Sequence, residues 1–214
     1  MKYYPIRNSL ETKVVGRKYP QLECNSLVYA HAIPIHGSCK KQIKLSFNLA
    51  KGAKITDVLS TFAISACGFI VSERLKELLK DFNLERHEYI PTEIISGENK
   101  YKYFFLHFLG EDMIHCLDYQ RSIFRVVEWG FKDLGTKSFD SFDSLKEYIK
   151  KDKDNFLMMP LEHVVLKEEF KELDLFSIPQ FANEMYVSEQ LKAIIANEKI
   201  TGFSFEDYFQ RAKA

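Results

Sequence analysis

An internal echo constrains this chain more than any other feature. The segment FIVSERLKELL near residue 70 returns as MYVSEQLKAII near residue 186. Val71, Ser72, Glu73, Leu75 and Lys76 correspond to Val187, Ser188, Glu189, Leu191 and Lys192, an offset of 116 positions. Both copies carry the residues of a helix start. Ser72 can accept an otherwise unpaired first-turn amide, a cap worth about 1 kcal/mol, and Glu73 puts negative charge at the positive end of the helix dipole. Leu75, Leu78, Leu79 and Phe82 then form one apolar stripe, which Leu191, Ile194 and Ile195 rebuild in the second copy. Strand-like sequence follows each copy, HEYIPTEII in the first and ITGFSFED in the second. One pair of repeats is too few for a solenoid, which needs about three. The reading is a helix–strand unit used twice within a single α+β architecture, an antiparallel or mixed sheet with a few flanking helices.

The rest of the chain fits that class. Extended pieces are expected at Tyr3–Ile6, Leu27–His31 and Gln42–Phe47, punctuated by Pro20, Pro34 and Gly37. A short helix is expected over Thr56–Ser65. Strands are expected at His87–Ile95 and Lys100–Leu109, with Ser96-Gly97-Glu98-Asn99 as a hairpin connection. The aromatic YKYFFLHF run within the second of these reads as core packing. Met113–Tyr119 and Ser122–Glu128 continue the strand character. Residues 129–155 are irregular until a short helix at Ser144–Lys151, capped by Ser141 or Asp143. A strand-like HVVL follows Pro160, and a proline-bearing loop is expected at Ser177–Gln180. The division is a strand-rich segment over 1–54 and an α+β body over 55–214, with an insertion at about 129–160, together forming one compact unit.

The 1–54 segment is also basic, with ten Lys/Arg against two Asp/Glu, while the whole chain is formally neutral. Either a basic segment folds on an acidic body, or a polarised surface steers a charged partner. Neutrality argues against a nucleic-acid binder. No run approaches the roughly 20 apolar residues of a membrane helix. MKYYPIRNSL has no apolar stretch behind its lysine, so the cytoplasm is the expected compartment. Cys24, Cys39, Cys67 and Cys116 form no CxxC pair and are expected to be reduced.

Catalytic chemistry finds little support. Cys24, His31, His36 and Cys39 are of zinc-ligand type, but C-x6-H-x4-H-x2-C matches no familiar finger or ribbon. Buried cysteines with surface histidines are expected there, and no metal. Cys67 with His107 is the one sketch of a cysteine hydrolase, and the apolar AISACGFIV around Cys67 argues for a dull, buried thiol. No nucleotide, metalloprotease or esterase motif is present, so no cofactor is expected and the chain reads as no enzyme.

The ordered set is VSERLKELL, an aromatic strand, Asp118 with Ser122 and Phe124, and a late MYVSEQLKAII with TGFSFED. It resembles a bacterial immunity-protein family, the eleventh of those catalogued for polymorphic toxin systems. The likeness runs over about residues 55–128 and 160–207. It implies a non-catalytic protein, encoded beside a toxin, that neutralises this cognate toxin by covering it in the producer's cytoplasm. It transfers no catalytic residues. Two alternatives are an interaction domain without a toxin partner and the Cys67/His107 hydrolase. The expected contact segment is the aromatic, acidic stretch holding Trp129, Phe131, Asp133, Phe139, Asp140, Phe142 and Asp143, since tryptophan is a favoured anchor and loops tolerate variation. The competing reading is an ordinary loop that tucks Trp129 into the core.

Overall fold

A computed structural model describes residues 1–24, 33–35, 37–39, 43–110, 113–151, 156–178 and 184–205. The chain runs β1 (Tyr3–Asn8), α1 (Thr12–Val15), β2 (Leu22–Glu23), β3 (Leu45–Leu49), β4 (Val58–Leu59), β5 (Gly68–Ser72) and α2 (Glu73–Leu78). It continues with β6 (His87–Ser96), β7 (Asn99–Phe108), α3 (Met113–Cys116), β8 (Ile123–Glu128), β9 (Lys132–Lys137) and α4 (Phe142–Lys151). Then come β10 (Leu157–Met158), β11 (Leu161–His163), β12 (Leu175–Ile178), β13 (Glu184–Ser188), α5 (Glu189–Asn197) and β14 (Phe203–Ser204). Three sheets result, ordered β2-β3-β6-β7-β5-β4, β12-β13-β1-β14 and β10-β8-β11 with β9 on β8. Among the described strands only β3 and β6 pair in parallel, and the fold class is α+β, as expected.

The echo is larger than its sequence signature. In each copy the serine ends a strand and caps a helix. Ser72 accepts from the Leu75 amide and Ser188 from the Leu191 amide, both at 3.1 Å. Each serine also donates to an aspartate that opens the neighbouring antiparallel strand, Ser72 to Asp57 at 2.9 Å and Ser188 to Asp174 at 2.6 Å. The unit is therefore aspartate–strand–strand–serine–helix, built once on β4, β5 and α2 and again on β12, β13 and α5.

The two units are locked reciprocally. The chain leaving α2 returns to the second unit, where the Asn83 amide donates to Asp174 and the Glu85 amide to the Leu175 carbonyl. The chain leaving α5 returns to the first, where the Thr201 amide and hydroxyl both donate to Asp57. Gly202 permits that second crossing. It sits at φ 97, and a Cβ there would lie 2.3 Å from the Val58 carbonyl oxygen.

A further correspondence completes the symmetry. β5 pairs on its inner side with β7, placing Ser72 opposite Tyr103, and β13 pairs with β1, placing Ser188 opposite Tyr3. Lys76 sits 3.9 Å over the Phe104 ring, and Lys192 sits 3.6 Å over the Tyr4 ring. Lys2-Tyr3-Tyr4 and Lys102-Tyr103-Phe104 are thus equivalent. The N-terminal strand supplies to the second unit what β7 supplies to the first. Leu75, Leu79, Leu191, Ile195, Val71 and Val187 meet in one shared core between the units.

β7 packs on both of its faces, with Phe104, Leu106 and Phe108 in the shared core and Tyr103 and Phe105 in another. The β6–β7 hairpin turns at Gly97-Glu98 as expected, with Gly97 at φ 60.

Three expectations are corrected. Thr56–Ser65 forms no helix. Val58 and Leu59 feed two different cores on opposite faces, a period-2 pattern that only a strand satisfies, and the Thr56 hydroxyl donates back to the Val58 carbonyl at 2.6 Å. Met113–Tyr119 is not a strand. Met113, Cys116 and Leu117 reach one core at helical spacing, so the segment winds one turn as α3. Ser177 lies inside β12, fully buried, and not in a loop. Leu27–His31 lies outside the described residues.

Candidate protein-docking surface

β8 and β9 form a hairpin whose tip is Trp129-Gly130-Phe131. Trp129 takes a left-handed φ of 54, unusual for a bulky residue. Its amide donates to the Phe156 carbonyl at 2.8 Å, which ties the tip to the segment entering β10. The tip directs apolar surface outward, with Trp129 55%, Phe131 82%, Phe156 64% and Leu134 45% exposed. Every residue of β9 is exposed, and among the described residues this strand pairs with β8 alone, so its outer edge is open. The Arg125 guanidinium donates twice to Asp133 across the hairpin, and Lys132 pairs with the buried Glu128 at 2.7 Å. These pairs hold the ribbon while its apolar tip stays bare.

The seven residues expected to contact a partner separate into three environments. Trp129, Phe131 and Asp133 lie on this hairpin. Asp140, Phe142 and Asp143 line an open cleft of about 540 Å³ at the start of α4, with His115, Lys146 and Lys167 among its walls. Asp143 pairs with Lys146 at 2.7 Å, and that ammonium holds its carboxyl below the usual range. Phe139 departs from the expectation. It is buried against Phe124 (centroids 5.4 Å apart) and Tyr148 (5.5 Å), so it is core. α4 begins at Phe142, and Ser141 is its cap, accepting from the Ser144 amide. Leu134 and Phe156 escaped the sequence reading, because a strand exposed on both faces carries no alternation and Phe156 sits in an ordinary apolar run.

The candidate reactive groups are arranged differently from the sketches. Cys67 is half-buried, its thiol is partnered by Ser177, and desolvation pushes it up to about 12. The imidazole of His107 turns instead to Glu88, with Nδ1 3.0 Å from Oε1. Cys39 joins that pair, its amide donating to the same oxygen at 2.9 Å. Burial, and then the Glu88 carboxylate, push the Cys39 thiol up to about 11. Burial also raises Glu88, but the Cys39 amide and His107 more than offset it and hold that carboxyl below its ordinary range. His31 and His36 lie outside the described residues.

The profile of the immunity protein family Imm11 matches residues 3–210. The chain belongs to that family. No curated protein matches it. The Imm11 match includes both stretches the sequence reading left outside the resemblance, residues 1–54 and about 129–160. The seat of β1 beside β13 explains the first, since the N-terminal strand is integral to the second repeat unit. An immunity function, and a toxin as the general class of partner, come with Imm11 membership. No helix among the described residues is long and apolar enough to cross a membrane.

Proposed function

We propose that this Imm11 protein neutralises one cognate toxin, encoded nearby, by stoichiometric docking through the β8–β9 hairpin, covering the toxin's active site or substrate groove in the cytoplasm without any catalysis of its own. The observation that carries this reading is the exposed Trp129, Phe131 and Phe156 cluster beside an open strand edge. Large aromatics are the usual anchors of tight interfaces, and leaving them in water has no value to the isolated chain. An open edge adds main-chain hydrogen bonds to a partner strand. The dull Cys67 thiol, pushed up by desolvation, and the turning of His107 away from it are consistent with a protein that works without turnover.

The test is co-expression with the toxin encoded beside the gene. Wild-type protein is expected to rescue growth and co-purify at a one-to-one ratio. The Trp129→Ala/Phe131→Ala double variant is expected to lose both while keeping the wild-type unfolding temperature. Full rescue by that variant would remove the hairpin from the interface, and failure of the wild type to bind or protect against the neighbouring product would overturn the function itself.

A further inference from the structure

Cys39, Glu88 and His107 come from three separate pieces of chain, the loop before β3, β6 and β7, and their ligating atoms lie within 4.8 Å of one another. We infer that they bind one divalent zinc-type ion, whose fourth position is open to solvent. The donor set suits such an ion. Thiolate, carboxylate and imidazole are its ordinary ligands, and bond lengths of about 2.0–2.3 Å put the donors around a tetrahedral ion roughly 3–4 Å apart. The cluster already has that scale, with His107 Nδ1 3.0 Å from Glu88 Oε1.

The second observation is the state of His107. Its side chain is wholly buried, and among the described residues its one polar partner is Glu88, which Nδ1 faces, so Nδ1 is the atom it presents to the cluster. Coordination at Nδ1 exchanges the Glu88 hydrogen bond for a shared ion. Charge favours this exchange. A dication with one thiolate, one carboxylate and a neutral imidazole is a neutral assembly, which is far cheaper to bury than any of its charges alone. Cys39 binds as thiolate and releases its proton to solvent, so affinity rises with pH. Glu88 and Cys39 are only partly buried, which leaves an approach for the ion and a place for a water. The ion would tie the Gly37–Cys39 loop, already held by the Gly37 amide on the Leu109 carbonyl, to the β6–β7 hairpin. It would act in structure and not in turnover.

The experiment uses reduced full-length protein, stripped by chelator and titrated with cobalt(II), with no toxin present. Expected is a thiolate-to-cobalt charge-transfer absorption that saturates at one ion per chain, vanishes on adding zinc, and is absent in Cys39→Ser. Glu88→Gln, a half-exposed position that preserves the fold if Cys39→Ser does not, is expected to weaken cobalt binding by at least about tenfold. Absence of the band in the wild type overturns the site. So does a band that survives Cys39→Ser unchanged, or an unaltered affinity in Glu88→Gln.

Discussion

The reciprocal lock makes Ser188 a more costly residue to lose than its twin Ser72, although the two have the same sequence context. Ser188→Ala removes two bonds. The first is the cap on α5, the Leu191 amide at 3.1 Å, which is worth about 1 kcal/mol. The second is the 2.6 Å donation to Asp174, which is 7% exposed. Depriving a buried carboxylate of a donor costs about 1.5–3 kcal/mol. The sum is about 3 kcal/mol, which for a chain of this length lowers the unfolding temperature by roughly 6–12 °C. At Ser72 the same two bonds are half-exposed, water replaces the lost donor on Asp57, and about 1 kcal/mol remains. Urea titration of both variants, together with a cycle through Asp174→Asn, measures the difference. Ser188 and Asp174 are expected to couple by roughly 1–2 kcal/mol. Equal losses at the two serines, or a Ser188→Ala cost below about 1 kcal/mol, would refute the claim that the buried aspartate depends on its serine.

Further predictions rest on single environments. Phe139→Ala should cost about 3–5 kcal/mol as a core truncation, whereas Phe131→Ala, 82% exposed, should fall within about 0.5 kcal/mol of wild type in the same urea titration. Burial pushes Glu85 from 4.5 up to about 7, against the pull of the Ser177 amide and hydroxyl and the Gly110 amide. A folded-state value above the unfolded one means this group favours the fold most at pH 4.5 and below. Its contribution is then lost as pH rises to about 7, by about 3 kcal/mol in total. Glu85→Gln should flatten that part of the stability–pH curve, and an unchanged slope would show that another group carries it. Cys67, pushed up to about 12, should resist alkylation at pH 8 in the native protein and react on unfolding, as intact-mass analysis would record.

What the sequence made legible was the part written in local physics. Ser72 and Ser188 announce their helices because a cap, an acid and a stripe all lie within one short window, and Gly97 announces its turn because only a few residues accept that backbone. Val58-Leu59 and Met113–Leu117 misled for the opposite reason, since two or three apolar residues cannot declare a period until the cores they fill are known. The docking hairpin was partly legible: Trp129 and Phe131 stood out as aromatics in an irregular stretch. Phe139, an equal aromatic a few residues on, belongs to the core by tertiary packing alone.

The deepest miss is the most informative. Lys2-Tyr3-Tyr4 and Lys102-Tyr103-Phe104 do the same work, but one lies far before its serine and the other shortly after, so no single offset aligns them. The duplication is therefore permuted: the second unit borrows its inner strand from the opposite end of the chain. Closing that strand against β13 brings residues 3–6 beside 185–188, a contact with nearly the largest loop-closure entropy this chain can incur. The aspartates at the unit entrances offset part of it, each accepting from its own serine and from the tail of the other unit. Neither unit is then complete without the other. Trimming Lys2–Ile6 should accordingly unfold the second unit, and with it the shared core, while removing no residue of the β8–β9 hairpin.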